Sequence, residues 1–440
     1  MRPAFSSSSC ASSPLINKNL VSTKKPSPGT DRFRSIRKDI SPRCSGSMDR
    51  LTLSHHGRKQ VTVRMCTVSG FPTELLEMHS EESSLHVLLI PGNPGIVLYY
   101  KDFVEAIYQL LEGQASVTAI GHICHAAKDW EHGRMFSLEE QINHKVDFIE
   151  QEYRNSEHPL ILVGHSIGSY ICLEIFKRLQ QQVKYVIGLY PFLSLNKSSL
   201  KQSMIGLISR SSIVSTTISY FVSFLGSLPT RVQVALVRKC LGQSWSATAV
   251  DATCSHLLQY HTMQNMLFMA MTEFEKLSEE PDWMFVKEKH NQISLLFGID
   301  DHWGPLSLFE EVSRMVPGLA LSIEREGHMH AFCCTEAGSL WTGHHVATLI
   351  KNQITKNIDR FGSMETEDTD ALLNGGVEVG DIFRLWFQVL AFDCFSICRH
   401  QNCEHWPAGI KISKPQCTNA QISSQHPLDS AVEHGCVSLL

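Results

Sequence analysis

Between residues 84 and 326 the chain alternates short apolar runs with segments of helical period, and this alternation restricts its fold more than any other feature. SLHVLLI (84–90), SVTAIGH (116–122), LILVGHS (160–166), VKYVIGLYP (183–191), ISLLFGIDD (293–301) and LALSIERE (319–326) read as strands. Their apolar residues run on rather than alternate, the pattern of strands buried on both faces. The intervening segments are helical. Phe103, Ile107, Leu110 and Leu111 recur at helical spacing, and Ser137 with Glu140 forms an S-x-x-E capping box ahead of a helix carrying Ile142, Val146 and Ile149. Strands and helices in this order predict the α/β class: a mostly parallel central sheet with helices on both faces.

The 440 residues are 43% apolar and 19% charged, enough to bury a large core. A net charge of −5 argues against a strongly basic nucleic-acid binder, and no RNA- or DNA-binding signature accompanies it. Fourteen cysteines are scattered along the chain, and no charged-then-apolar signal peptide opens it, so the thiols are expected to be reduced. No run of 18 apolar residues occurs that would make a conventional spanning helix.

The two ends differ from the middle. Residues 1–48 hold nine Lys/Arg, two acids and twelve serines. Residues 1–60 therefore read either as a disordered extension or as a transit-peptide-like segment, which would direct the chain to a plastid or a mitochondrion. From 362 to 440 an acidic stretch, one apolar patch and a Cys/His-rich segment follow without helical or strand period, and this tail is expected to be atypical and unstructured. Cys394, Cys398, His400, Cys403 and His405 lie close together there but lack paired C-x₂-C spacing, so no metal site is assigned.

LILVGHSIGSYICLEIF (160–176) places a serine between two glycines where a strand meets a helix. In such a turn Gly164 and Gly168 leave room for the backbone to double back through His165, Ser166 and Ile167. Ser166 then stands on a strained corner above a helix N-terminus, the arrangement of a nucleophile elbow. A serine hydroxyl needs an imidazole to take its proton and a carboxylate to orient that imidazole. Downstream, FGIDDHWGP offers Asp300 and Asp301 at one strand end, and EREGHMHAF offers His328 and His330 after the next. The order Ser, acid, His is that of the α/β-hydrolases.

Together LIPGNPG (89–95), LVGHSIGSY (162–170), FGIDDHWGP (297–305) and HAF (330–332) resemble the lipid droplet-associated hydrolase family, serine α/β-hydrolases linked to neutral-lipid stores. The resemblance covers roughly residues 85–355. It implies Ser166 as nucleophile, Asp301 as acid and His330 as base, with Asp300 and His328 as the alternates. The oxyanion hole it implies is formed by the backbone N–H groups of Asn93 and Ile167, since Pro94 has none. No metal or organic cofactor is required. The implied substrates are carboxylic esters of neutral lipids, sterol esters or acylglycerols, and the implied location is the lipid droplet or the endoplasmic reticulum.

The expected organisation is a hydrolase core in two parts, 75–191 and 291–358, interrupted by a helical cap or lipid-docking insertion over 192–290. SSIVSTTISYFVSFLGSL (211–228) is uncharged, and its Ile213, Val214, Ile218, Phe221, Val222 and Leu225 fall at spacings of one helix face. MQNMLFMAM (263–271) adds flexible methionines. Either these helices pack on the core, or residues 203–228 dock on a lipid droplet or membrane surface. An acyltransferase using the same triad, and a lipid-droplet surface or tethering protein with little turnover, are the alternative functions. The sequence leaves the oligomeric state open.

Overall fold

The computed structural model describes residues 60–359, apart from 242 and 243. The readings of residues 1–48 and of the Cys/His-rich tail fall outside the described residues. The strands are β1 (Thr62–Val68), β2 (Phe71–Met78), β3 (Leu85–Ile90), β4 (Ala115–Ile120), β5 (Leu160–His165), β6 (Val183–Leu189), β7 (Ile293–Gly298) and β8 (Ala320–Glu324). They form one sheet in the order β1-β2-β4-β3-β5-β6-β7-β8. From β4 to β8 the neighbours are parallel. The pairs β1·β2 and β2·β4 are antiparallel. This is an α/β-hydrolase fold, a mostly parallel sheet with helices around it.

The expected strands all form, and the sheet begins earlier than residue 75. The β1–β2 hairpin escapes a reading based on apolar runs because β1 is an outer strand, most of whose residues face solvent. Arg64 and Glu77 pair across it in a bidentate ion pair at 2.7 and 3.1 Å, a device that blunts a sheet edge.

Helices cover both faces. On one side lie α1 (Lys101–Leu110) and the closing helix α11 (Glu336–Asp359), whose Phe103, Ile107, Val346 and Ile350 are fully buried against β3 and β4. On the other lie α2 (Leu138–Glu152), α3 (Ile167–Arg178) and α10 (Leu306–Met315), through Ile142, Ile149, Ile171, Phe176 and Val312. Each such side chain contributes roughly 1.5–3 kcal/mol by leaving water. The S-x-x-E capping box forms at α2: Ser137 and Glu140 exchange side-chain and backbone bonds.

Between β6 and β7 the chain departs into α4 (Leu200–Arg210), α5 (Ser212–Gly226), α6 (Thr230–Leu241), α7 (Ala247–Ala252), a π-helical turn at Thr253–Leu257, α8 (Tyr260–Lys276) and α9 (Trp283–Glu288). These helices occupy the interval between the two runs of parallel strands. Met263, Met266 and Met269 of α8 are buried, so the methionines fill the core rather than the surface. None of the described helices is long and apolar enough to cross a membrane.

One expectation for α5 needs correction. Ile213, Val214, Ile218, Phe221, Val222 and Leu225 do not form one face. The buried side is Ser215, Ile218, Ser219 and Val222, where two small serines let α5 approach its neighbours closely. Ile213, Tyr220, Phe221 and Phe224 point outward. The apolar stripe is wider than the packed face, so it divides into an inner and an outer half.

Candidate active site

In open α/β sheets ligands bind beyond the carboxyl ends of the strands, where the strand order reverses. Here β3 is that point, with β4 on one side and β5 on the other. Gly164 of β5 pairs with Ile90, the last residue of β3, so the loop after β3 and the turn after β5 emerge side by side.

Ser166 occupies that turn, between β5 and α3, with φ 54° and ψ −125°. A non-glycine residue at positive φ is strained and persists only where its surroundings hold it. Its N–H donates to the Leu189 carbonyl at 2.9 Å, and its own carbonyl accepts from Ser169 at 2.9 Å and Phe192 at 3.2 Å. The flanking glycines make the crossing possible. A Cβ on Gly168 would stand 2.3 Å from the Ile90 carbonyl oxygen, and one on Gly164 would stand 2.4 Å from that of Gly168. Ile167 opens α3, where backbone N–H groups lack intrahelical acceptors.

The loop Pro91–Gly95 faces Ser166. Gly92 N–H donates to Tyr100 Oη at 2.9 Å, and Gly95 N–H donates to His125 Nδ1 at 2.8 Å. The two prolines have no N–H to offer. Asn93 remains as the loop position whose backbone N–H these bonds do not use, and it lines the same cavity as Ser166.

At the ends of β7 and β8 the structure separates the two pairs of candidates. Asp301 is buried, while Asp300 is exposed. His330 Nδ1 lies 3.0 Å from Asp301 Oδ2, and Asp301 Oδ1 accepts from Trp303 N–H at 2.9 Å. A carboxylate can only accept, so Nδ1 is the donor and the ring is oriented with Nε2 on its opposite side. His328 instead meets Glu324, a fully buried carboxylate, with Nδ1 3.2 Å from Oε1 and its backbone N–H 3.0 Å from Oε2. Asp301 and His330 come together with Ser166, since His330 and Ser166 line one pocket. Asp300 and His328 do not join them.

His165 locks this assembly. Its Nε2 donates to the His330 carbonyl at 2.9 Å, which leaves Nδ1 to accept from Tyr100 Oη at 2.6 Å. Tyr100 in turn accepts from Gly92, so one chain of bonds joins the β3 loop, the elbow and the His330 loop.

Two residues of the cavity were not foreseen from the sequence. Glu273 of α8 is buried, accepts from Asn93 Nδ2 at 3.0 Å, and has its carboxyl pushed up to about 8 by that burial. Asn93 Nδ2 also donates to the Met266 carbonyl at 3.0 Å, so the cap is pinned to the β3 loop at this side chain. A lone carboxylate on the helix face of Met266, Met269 and Ala270 is the signal that marks Glu273. Tyr100 carries no such signal in the sequence, because its role depends on contacts distant along the chain.

Comparison with known proteins gives a consistent result. The model of a family described as lipid-droplet associated hydrolase matches residues 83–333. A lipid droplet-associated hydrolase of Dictyostelium discoideum is 28% identical over 272 residues, covering 59% of this chain and 86% of the relative. One of Gallus gallus is 29% identical over 261 residues, covering 56% and 78%. Among solved structures, the haloalkane dehalogenase DbeA of Bradyrhizobium elkani superposes with a TM-score of 0.52 at 12% identity, covering 68% of this chain and all of that one. That likeness speaks to the fold alone.

Proposed function

Because the chain belongs to the lipid-droplet associated hydrolase family, we propose that this hydrolase is a serine esterase that cleaves carboxylic esters of neutral lipids, sterol esters or acylglycerols, at the surface of lipid droplets. The observation that carries the reading is the convergence in one cavity of a strained Ser166 with a His330 whose Nδ1 is held 3.0 Å from buried Asp301.

In this mechanism Ser166 Oγ attacks the ester carbonyl while His330 Nε2 takes its proton. Asp301 keeps the imidazole in the required tautomer and offsets the charge that His330 gains. The oxyanion forms between the N–H groups of Asn93 and Ile167, with the N-terminus of α3 beneath it. His330 returns the proton to the leaving alcohol. Water, activated by the same imidazole, then releases the acid and restores Ser166. The triad's chemistry calls for no metal or organic cofactor.

The droplet surface is supported by the names of the relatives and by the outer side of the cap. Leu207 of α4 and Ile213, Tyr220, Phe221 and Phe224 of α5 are exposed, Leu207 at 74% and Ile213 at 81%. Exposed apolar groups concentrated on consecutive helices suit burial in a lipid monolayer. The test is hydrolysis of emulsified sterol esters and acylglycerols by the purified chain. Ser166→Ala should lose roughly 10³-fold or more in rate, and full activity in that variant would refute the assignment.

A further inference from the structure

The cap holds a second pocket, partly open and walled almost entirely by apolar side chains. Its walls include Val222 and Leu225 of α5, Leu236, Val237 and Cys240 of α6, and Met263 of α8. Two lining residues, Gln233 and Thr253, carry polar side-chain groups, and the Gln233 NH₂ and the Thr253 hydroxyl are engaged within the protein. The Gln233 amide donates to the carbonyls of Gly226 and Leu228 at 2.6 and 2.7 Å. The Thr253 hydroxyl bonds the Ala249 carbonyl and Tyr99 Oη, each at 2.9 Å. Such a space offers water almost nothing and rewards an apolar occupant.

This cavity adjoins the one around Ser166. Leu257 lines both. Met266 faces the site and Met263, one turn earlier on α8, faces the cap cavity. Tyr99 of the site is hydrogen-bonded to Thr253 of the cap cavity. The partition includes Leu257 at the end of a π-helical turn, two flexible methionine side chains and the hydrogen-bonded Tyr99–Thr253 pair, so its adaptable part is Leu257 with the methionines. The far wall is the inner side of α5, whose outer side carries Ile213 and Phe224.

We propose that the acyl chain of the ester held at Ser166 passes Leu257 and lies in this cap cavity, which makes the cavity the subsite that reads acyl-chain length. The proposal rests on the esterase reading above. Chains too short to reach Leu257 stay in the cavity around Ser166. Longer chains gain affinity with every methylene that enters, roughly fourfold each, until the space is full.

The test is the ratio of kcat/KM for hexadecanoyl and butanoyl esters of one alcohol. The unaltered chain should favour the longer ester by at least tenfold, and Leu236→Trp and Val237→Trp, which fill the cap cavity from α6, should each lower that ratio tenfold or more. A ratio unchanged in a folded variant overturns the proposal. A second measurement needs no variant: hexadecanoate should slow alkylation of Cys240 by a small maleimide at least tenfold, whereas butanoate should not, and alkylation at full rate under saturating hexadecanoate overturns it as well. Failure of the esterase reading looks different. In that case Ser166→Ala would still cleave the butanoyl ester, while Cys240 protection would continue to report on the cavity.

Discussion

The carboxyl edge of the sheet and the cap above it follow opposite rules. At the edge, around Ser166, the polar side chains are buried and joined in one network: Tyr100 to His165, His165 to the His330 loop, His330 to Asp301, Asp301 to Trp303. On the outer side of α4 and α5 apolar side chains are exposed to water, Phe224 at 61% exposure among them. The first arrangement fixes atoms to within a hydrogen-bond length, as proton transfer requires. The second gains stability only if lipid replaces the water. In the proposed reading the sheet edge carries the chemistry and the cap makes the surface contact.

The sharpest way to break this comparison is at the edge. Asp301→Asn and His330→Ala should each cost roughly 10³-fold or more in kcat/KM. Asp300→Asn and His328→Ala, whose side chains lie outside the network, should cost less than about tenfold on the same scale. Steady-state kinetics on a soluble short-chain ester decides it, and a reversed ranking would move the acid to Asp300 and the base to His328.

A smaller effect separates the two halves of α5. Ile213→Asp and Phe224→Asp should weaken binding to droplets or phospholipid vesicles by roughly 10- to 100-fold each and change stability by less than about 0.5 kcal/mol. Ile218→Asp, on the buried side, should destabilise by about 3–5 kcal/mol. Flotation assays and denaturant unfolding read the two outcomes. Equal losses of binding and of stability at all three positions would erase the distinction between the faces.

An effect on stability alone, seen only as pH is varied, lies where the two regions meet, at Glu273. Its folded-state pKa is raised from 4.5 to about 8 by burial, so between those values the folded chain keeps a proton that the unfolded chain releases. The stability that goes with the protonated form is complete below about 4.5 and falls away as pH rises towards 8. Glu273→Gln, which can still accept from Asn93, should remove that slope. The gain in unfolding free energy of the variant over the unaltered chain should grow across this interval and level off above it.

Most of the sheet was legible because β3 to β7 are buried and read as apolar runs, and the half-exposed edge strand β8 still carries an apolar run in its sequence. The β1–β2 hairpin was not, since the outer strand spends its side chains on solvent and on the Arg64–Glu77 pair. In the site, Ser166 was legible from local constraints alone: two glycines, a strand before and a helix after. Asp301 and His330 needed the family pattern to separate them from Asp300 and His328, because adjacent carboxylates differ only in the direction the backbone gives them. The link between Asn93 and Glu273 spans 180 residues and depends on α8 lying over the β3 loop, which no local period records. The division of α5 was hidden for a related reason, since a helix wheel gives the width of an apolar stripe but not which part of it a neighbour covers.

The central claim, that Ser166 is the nucleophile of this fold, is tested most directly by labelling the purified chain with a fluorophosphonate and locating the adduct by peptide mass spectrometry. The account predicts one stoichiometric adduct, on Ser166, that forms slowly or not at all in His330→Ala. An adduct on another residue, or full labelling of Ser166→Ala, would contradict it.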